Sequence, residues 1–194
     1  MTAILKRIIP ALVGTAVLAT ATVSAGFGAA PKIGEKARAF SLTALDGSTV
    51  SLAGETARGP VVLVLARGWP GYQCPFCTRQ FADFMAHAKD FEDQGARVVW
   101  VYPGPSDQVV QRAREFVASQ PLPPSFRFVT DPDYRFTNAY GLRWDAPNET
   151  SYPSTFVIDR TSVVRFAHIS NAHDGRAKAS DVVAALNALA PRAR

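Results

Sequence analysis

Cysteine is almost missing from this chain. Its 194 residues contain two, Cys74 and Cys77, separated by Pro75 and Phe76. A pair this close cannot form the disulfide framework that staples a small exported domain. At 47% hydrophobic residues the chain has enough apolar material for a core without staples, so both sulfurs are free for chemistry. Histidine is scarce too, with three in all, and Thr78 rather than His follows Cys77, which excludes a haem-attachment site. No phosphate-cradling glycine loop, nucleophilic-serine motif or paired-carboxylate motif is present. The net charge is +5 and the pI near 9.5, yet the basic residues are scattered, without an Arg/Lys stripe interleaved with aromatics. Nucleic acid is therefore not an expected partner. There is no internal repeat, and no low-complexity segment after residue 30.

Charge is also absent from Ile8 to Ala25, just after the basic pair Lys6-Arg7. Val23-Ser24-Ala25 supplies the small residues that a signal peptidase reads, so residues 1–25 are expected to be a secretory signal peptide. A cut after Ala30 is disfavoured by Pro31, and no cysteine lies nearby to carry a lipid anchor. The run is just long enough to span a bilayer uncleaved. It is rich in Ala, Thr, Gly and Val, however, and Pro10 lies inside it. Cleavage with Lys6 and Arg7 lost takes the net charge from +5 to +3. The expected organisation is a signal peptide at 1–25, a linker at 26–33 and one domain at 34–192. The expected location is periplasmic or secreted, where disulfides form and persist, with membrane contact only through an uncleaved leader.

Along the rest of the chain, strands and helices alternate. Phe40 and Leu42, then Val50 and Leu52, alternate with polar residues about an Asp46-Gly47 turn, which predicts a hairpin. Val61–Ala66 and Arg97–Tyr102 read as buried strands. One helix is expected from Pro75 to about Glu92, with Phe81, Phe84, Ala88 and Phe91 on one face, and a second from Ser106 to Ser119. A short strand at 126–129 and a short helix at 134–140 follow. A strand pair at 155–158 and 163–169 and a last helix after Ser180 complete the order. The fold class is α/β, a central mixed sheet with helices on both faces.

A CxxC between a buried strand and a helix is a thioredoxin-like redox motif. Cys74 is expected at the helix N-terminus as the more exposed sulfur, with its pKa lowered by free N–H groups and the helix dipole. Cys77, one turn in, would resolve a mixed disulfide. Arg67 at the strand end and Arg79 are candidates for electrostatic support.

The chain resembles the redoxin branch of the thioredoxin superfamily, which includes the alkyl hydroperoxide reductase C and thiol-specific antioxidant proteins. The resemblance runs from about Gly34 to the last helix. It is carried by Phe40-Ser41-Leu42 with Asp46-Gly47, by Arg67-Gly68-Trp69-Pro70-Gly71-Tyr72-Gln73 leading into the CPxC, by Asp131-Pro132-Asp133, by Tyr140-Gly141 and by Tyr152-Pro153-Ser154-Thr155-Phe156. It implies a thioredoxin-like fold opened by an N-terminal β-hairpin. It also implies that Pro153 is a cis proline facing the cysteines, with the backbone of Tyr152 free to pair with a partner. Tyr152, Pro153 and Trp69 are the candidate substrate-binding residues.

Two registers compete. In the thioredoxin register Cys74 attacks and Cys77 resolves, but Val61–Ala66 lacks the buried acid that serves as proton acceptor. In the peroxiredoxin register Pro70, Cys74 and Cys77 stand where that family has Pro, Thr and the peroxidatic Cys. Pro153 replaces its arginine. With two of three peroxide-site groups missing, dithiol–disulfide exchange is expected first and peroxide reduction second. Arg176 is read as a loop charge, although it is a possible substitute for the missing arginine. Partners would be protein disulfides or an upstream dithiol donor, with hydroperoxides the alternative, and no cofactor is expected. A third reading is a copper or other metal site made from both cysteines with His168 or His173. No metal ligand set is assigned from it, and His87 is expected to be solvated.

Overall fold

The computed structural model describes residues 28–118 and 120–189. The expected signal peptide and the first residues of the linker lie outside them. Seven strands form one sheet: β1 (Ser41–Ala44), β2 (Thr49–Ser51), β3 (Val61–Leu65), β4 (Arg97–Gly104), β5 (Phe126–Pro132), β6 (Ser154–Ile158) and β7 (Val164–Ile169). Their order across the sheet is β2-β1-β5-β4-β3-β6-β7. The centre, β5-β4-β3, is parallel, and the flanking pairs are antiparallel. The expected mixed sheet and opening hairpin are both present. At the hairpin, Gly47 has φ +85° and the Asp46 carboxylate accepts from the Ser48 N–H at 2.8 Å.

The helices are α1 (Leu52–Thr56), α2 (Pro75–Ala86), α3 (Ala88–Asp93), α4 (Val109–Val117), α5 (Arg135–Ala139) and α6 (Ala179–Asn187). Three differ from expectation. The single helix at 75–92 is broken at His87, which has φ −99° and ψ 15° and closes α2 while opening α3. Helix α4 starts at Val109, after a turn in which the N–H of Val109 is bonded to Pro105. Helix α1 was unforeseen because its five residues are too few to show a period, and the Ser51 hydroxyl caps it on the Gly54 N–H.

Strand β3 is buried along its whole length, so it faces two cores. Val62, Val64 and Ala66 face the layer of α2, α4 and α6 with Phe81, Phe84, Trp100, Phe128 and both cysteines. Val61, Leu63 and Leu65 face α1 and α5 with Phe136, Tyr140 and Ile158. Edge-on aromatic pairs, such as Phe81–Trp100 at 5.0 Å, fill the first core. This rigid layer fixes α2, and with it the cysteines, over the end of β3. In the loop between β3 and α2, Gly68 has φ +70°, and a Cβ there would meet the Pro103 carbonyl oxygen at 1.9 Å. Gly68→Ala is therefore expected to cost about 2–4 kcal/mol in chemical denaturation, from left-handed strain and backbone collision together.

Candidate active site

Cys74 is the N-cap of α2, in extended conformation, with Pro75 at the first helical position. Its sulfur therefore faces the first-turn N–H groups of Phe76 and Cys77. One turn in, the Cys77 sulfur accepts the backbone N–H of Arg67 at 3.3 Å. Both cysteines are free thiols, each with only 1% of its surface exposed. The expectation that Cys74 would be the more exposed sulfur is corrected here, as the two are equally covered. The reason is the turn before α6, which packs over the pair.

That turn carries Arg176. Its guanidinium reaches both sulfurs, with Nη1 3.4 Å from Cys77 Sγ and Nη2 3.6 Å from Cys74 Sγ. Its Nε donates to the His173 carbonyl at 3.0 Å, which holds the group over the dithiol. The reading of Arg176 as a loop charge is thus overturned. The arginine missing from position 153 has a counterpart from another part of the chain. Arg79, by contrast, lies over the Phe76 ring at 4.6 Å.

The two sulfurs are driven apart in acidity. Cys74 is pulled down to about 5, first by the hydrogen bond from the Cys77 thiol, which outweighs burial, and then by the Cys77 N–H, Arg176 and the Phe76 N–H. Cys77 is pushed up, above all by burial and then by the hydrogen bond it makes to Cys74. At neutral pH the pair holds one proton, on Cys77, and Cys74 is the thiolate. Below them, the Tyr102 hydroxyl donates to Gln73 at 2.7 Å, and the Gln73 amide donates to the Arg112 carbonyl at 2.9 Å. These bonds brace the residue that precedes Cys74.

Arg67 is fully buried, but its guanidinium turns away from the sulfurs. It donates to Glu149 Oε2 at 2.9 Å, to the Asn148 carbonyl at 2.7 Å and to the Tyr72 hydroxyl. Its charge is thereby balanced by Glu149, and its part at the site is its main-chain N–H. The other oxygen of Glu149 lies 2.7 Å from His173 Nε2. Burial would raise the Glu149 carboxyl, but the hydrogen bonds from Arg67 and His173 hold it below its ordinary value. No local sequence signal marks Glu149; only the fold brings it to Arg67 and His173.

Pro153 is buried and trans, as no cis peptide bond occurs among the described residues. The cis proline implied by the resemblance is therefore corrected. The free backbone expected at Tyr152 is absent as well. Its N–H donates to the Leu142 carbonyl at 2.9 Å, and its own carbonyl accepts from the Ser154 hydroxyl at 2.8 Å. The cause is the segment from Leu142 to Ser151. It lies along the end of β3, with the Ser151 hydroxyl on the Ala66 carbonyl at 2.8 Å and the Thr150 hydroxyl on the Arg67 carbonyl. The Tyr152 ring stacks on Trp144 at 5.0 Å. Trp69 is half-buried beneath the Arg112 guanidinium, 4.4 Å from the ring centre. None of these three residues presents a free edge to a partner chain.

The histidines do not join the sulfurs. His168 lies on the Gly175 carbonyl, His173 on Glu149 and His87 on the Asp83 carbonyl. Among the described residues no group of three or more His, Cys, Asp and Glu side chains is placed to hold a metal ion.

Comparison with known proteins agrees with this geometry. The family model described as Redoxin matches residues 32–186. A putative peroxiredoxin of Mycobacterium tuberculosis (strain ATCC 25618 / H37Rv) is 31% identical over 131 residues, covering 65% of this chain and 77% of that protein. The chloroplastic peroxiredoxin Q of Oryza sativa subsp. japonica is 28% identical over 135 residues, covering 70% of this chain and 58% of that protein. Among solved structures, the peroxidoxin BcpB of M. tuberculosis superposes with a TM-score of 0.64 at 23% identity, covering 83% of this chain and 99% of its own. M. tuberculosis AhpC gives 0.64 at 19% identity, covering 82% and 93%. A CPxC dithiol at a strand-to-helix turn, on this sheet and within this match, makes the chain a member of the Redoxin family and a thiol oxidoreductase of thioredoxin-like fold.

Proposed function

We propose that this protein is a two-cysteine peroxidase that reduces hydroperoxides through the Cys74–Cys77 couple. The observation that carries this reading is Arg176, whose guanidinium spans both sulfurs. The Cys74 thiolate attacks the distal oxygen of the hydroperoxide. The O–O bond breaks, Cys74 becomes a sulfenic acid, and the leaving alkoxide takes a proton from water to become an alcohol. Arg176 is placed to stabilise the negative charge as it moves from sulfur to the leaving oxygen. The Cys77 sulfur then attacks the Cys74 sulfenic acid, expels its hydroxyl as water and closes the disulfide. An external dithiol of thioredoxin type returns the pair to its reduced state. Near-complete burial of the sulfurs favours a small hydroperoxide over a folded protein disulfide as oxidant. The paired backbone of Tyr152 removes the edge on which such a protein would dock.

This ordering reverses the one drawn from sequence, which ranked disulfide exchange first because Cys74 and Pro153 stand where the peroxiredoxin pattern has threonine and arginine. Exchange remains the second reading, supported by the N-cap position of Cys74 with Cys77 one turn in.

The pH dependence tests the thiolate. Cys74 is held near 5, so the rate of reaction with hydrogen peroxide should rise as pH increases through about 5 and be flat from 6 to 8. A rate that climbs steadily from 7 to 9 would mean that the attacking sulfur is an ordinary thiol.

Export is part of the proposal and rests on Lys6-Arg7, the uncharged run to Ala25 and the Val23-Ser24-Ala25 site. N-terminal sequencing of the protein recovered from the periplasm of an expressing bacterium should begin at Gly26. Recovery of the intact leader in the cytosol would contradict it.

A further inference from the structure

Two separate groups touch the reactive sulfurs: the Arg67 N–H from the end of β3, and the Arg176 guanidinium from the turn before α6. Nothing in the chain order joins these segments, yet one carboxylate touches both. Glu149 Oε2 accepts from Arg67 Nε at 2.9 Å, and Oε1 lies 2.7 Å from His173 Nε2. His173 in turn offers its carbonyl to Arg176 Nε at 3.0 Å. Trp144, from the same segment as Glu149, packs against the His173 ring at 5.4 Å. The segment is itself tied down by the Thr150 and Ser151 hydroxyls on the Arg67 and Ala66 carbonyls.

From this geometry we infer that Glu149 is a positioning residue, a latch that holds the Arg176 turn closed over the dithiol. It touches neither sulfur. It acts by fixing Arg67 and His173 at once, and so does two things together. It keeps the guanidinium in reach of the sulfurs, and it keeps both sulfurs covered. Its action on peroxide turnover rests on the peroxidase reading above; its action on sulfur access does not.

A latch and a simple packing contact differ in the sign of their effects. Two variants cut the latch with little change in volume. Glu149→Gln replaces one carboxylate oxygen with a donor, which cannot accept from both Arg67 and His173. His173→Phe retains the ring against Trp144 and removes its nitrogen. At pH 8, where Cys74 is already thiolate in the parent, alkylation of the reduced protein by iodoacetamide reports access. Alkylation of Cys74 is expected to be about tenfold faster in both variants, because local opening of the turn exposes it. The second-order constant for hydrogen peroxide is expected to fall about tenfold, because Arg176 spends less time on the sulfurs. Cys74 should also titrate at higher pH, as read from thiolate absorbance.

Alkylation unchanged from the parent, or slower along with the peroxide reaction, overturns the proposal. If the parent itself proves inert to peroxide, the peroxidase reading fails. Alkylation and the thiolate titration then still decide whether Glu149 is a latch.

Discussion

Replacing Arg176 by Met is expected to slow the reaction of the reduced protein with hydrogen peroxide by roughly 10²–10³-fold. Methionine keeps much of the volume and removes the charge and the donors. Those donors are 3.4 and 3.6 Å from the two sulfurs and have no other charged partner at the site. In the peroxide reaction charge moves from Cys74 onto the leaving oxygen, so a fixed cation stabilises the transition state more than the ground state. Disulfide exchange with a small reagent disperses its charge over three sulfurs, and its rate should change far less. Stopped-flow intrinsic fluorescence of the reduced protein against peroxide, beside its reaction with a chromogenic aromatic disulfide, separates the two. Equal losses in both reactions would mean that Arg176 only supports the fold of its turn.

Exchanging the two cysteines one at a time should give opposite results. Cys74→Ser is expected to abolish peroxide consumption, since the remaining sulfur is the deeply buried thiol that burial holds protonated. Cys77→Ser should still react once, because the thiolate at the α2 N-cap is retained. It should then stop at the sulfenic acid, which dimedone traps and mass spectrometry assigns to Cys74. In the native reduced protein Cys74 is also expected to alkylate first. Dimedone on Cys77 in a Cys74→Ser protein of undiminished rate would establish the other register, in which Pro70, Cys74 and Cys77 stand in the peroxiredoxin spacing. It would also reassign Cys74 as the resolving sulfur.

The scaffold was readable because local pattern and burial agree. Val61–Leu65 is an unbroken β-branched and leucine run between Gly59-Pro60 and a loop, and it is a buried interior strand of the sheet, between β4 and β6. Phe81, Phe84 and Phe91 repeat at helical spacing and form one buried face. The break at His87 was hidden because it preserves that face on both sides. The sulfurs were legible for the same reason, as their spacing and their place between strand and helix are local properties.

What surrounds the sulfurs was not local. Arg176 is 99 residues from Cys77 and reaches it only because α6 packs back on α2 and the preceding turn closes over the dithiol. Glu149 and Arg67 are 82 residues apart. Single-residue chemistry cannot tell such groups from surface charges until the fold brings them together. The proline expectation failed in the opposite way. Pro153 is at the strand start the resemblance implied, but Leu142 to Ser151 pairs with the neighbouring backbone there, and the peptide is trans. A motif thus located the residue correctly while its surroundings decided what it does.

The central claim is that this dithiol is built for peroxide. It is tested most directly by measuring, on one reduced preparation at pH 7, the second-order constants for hydrogen peroxide and for a protein disulfide such as oxidised insulin. Both are followed by the loss of free thiol. The Arg176 geometry and the covered sulfurs require the peroxide constant to be the larger, by about tenfold or more. A protein disulfide oxidised by the pair faster than peroxide would contradict the account and return the chain to dithiol–disulfide exchange.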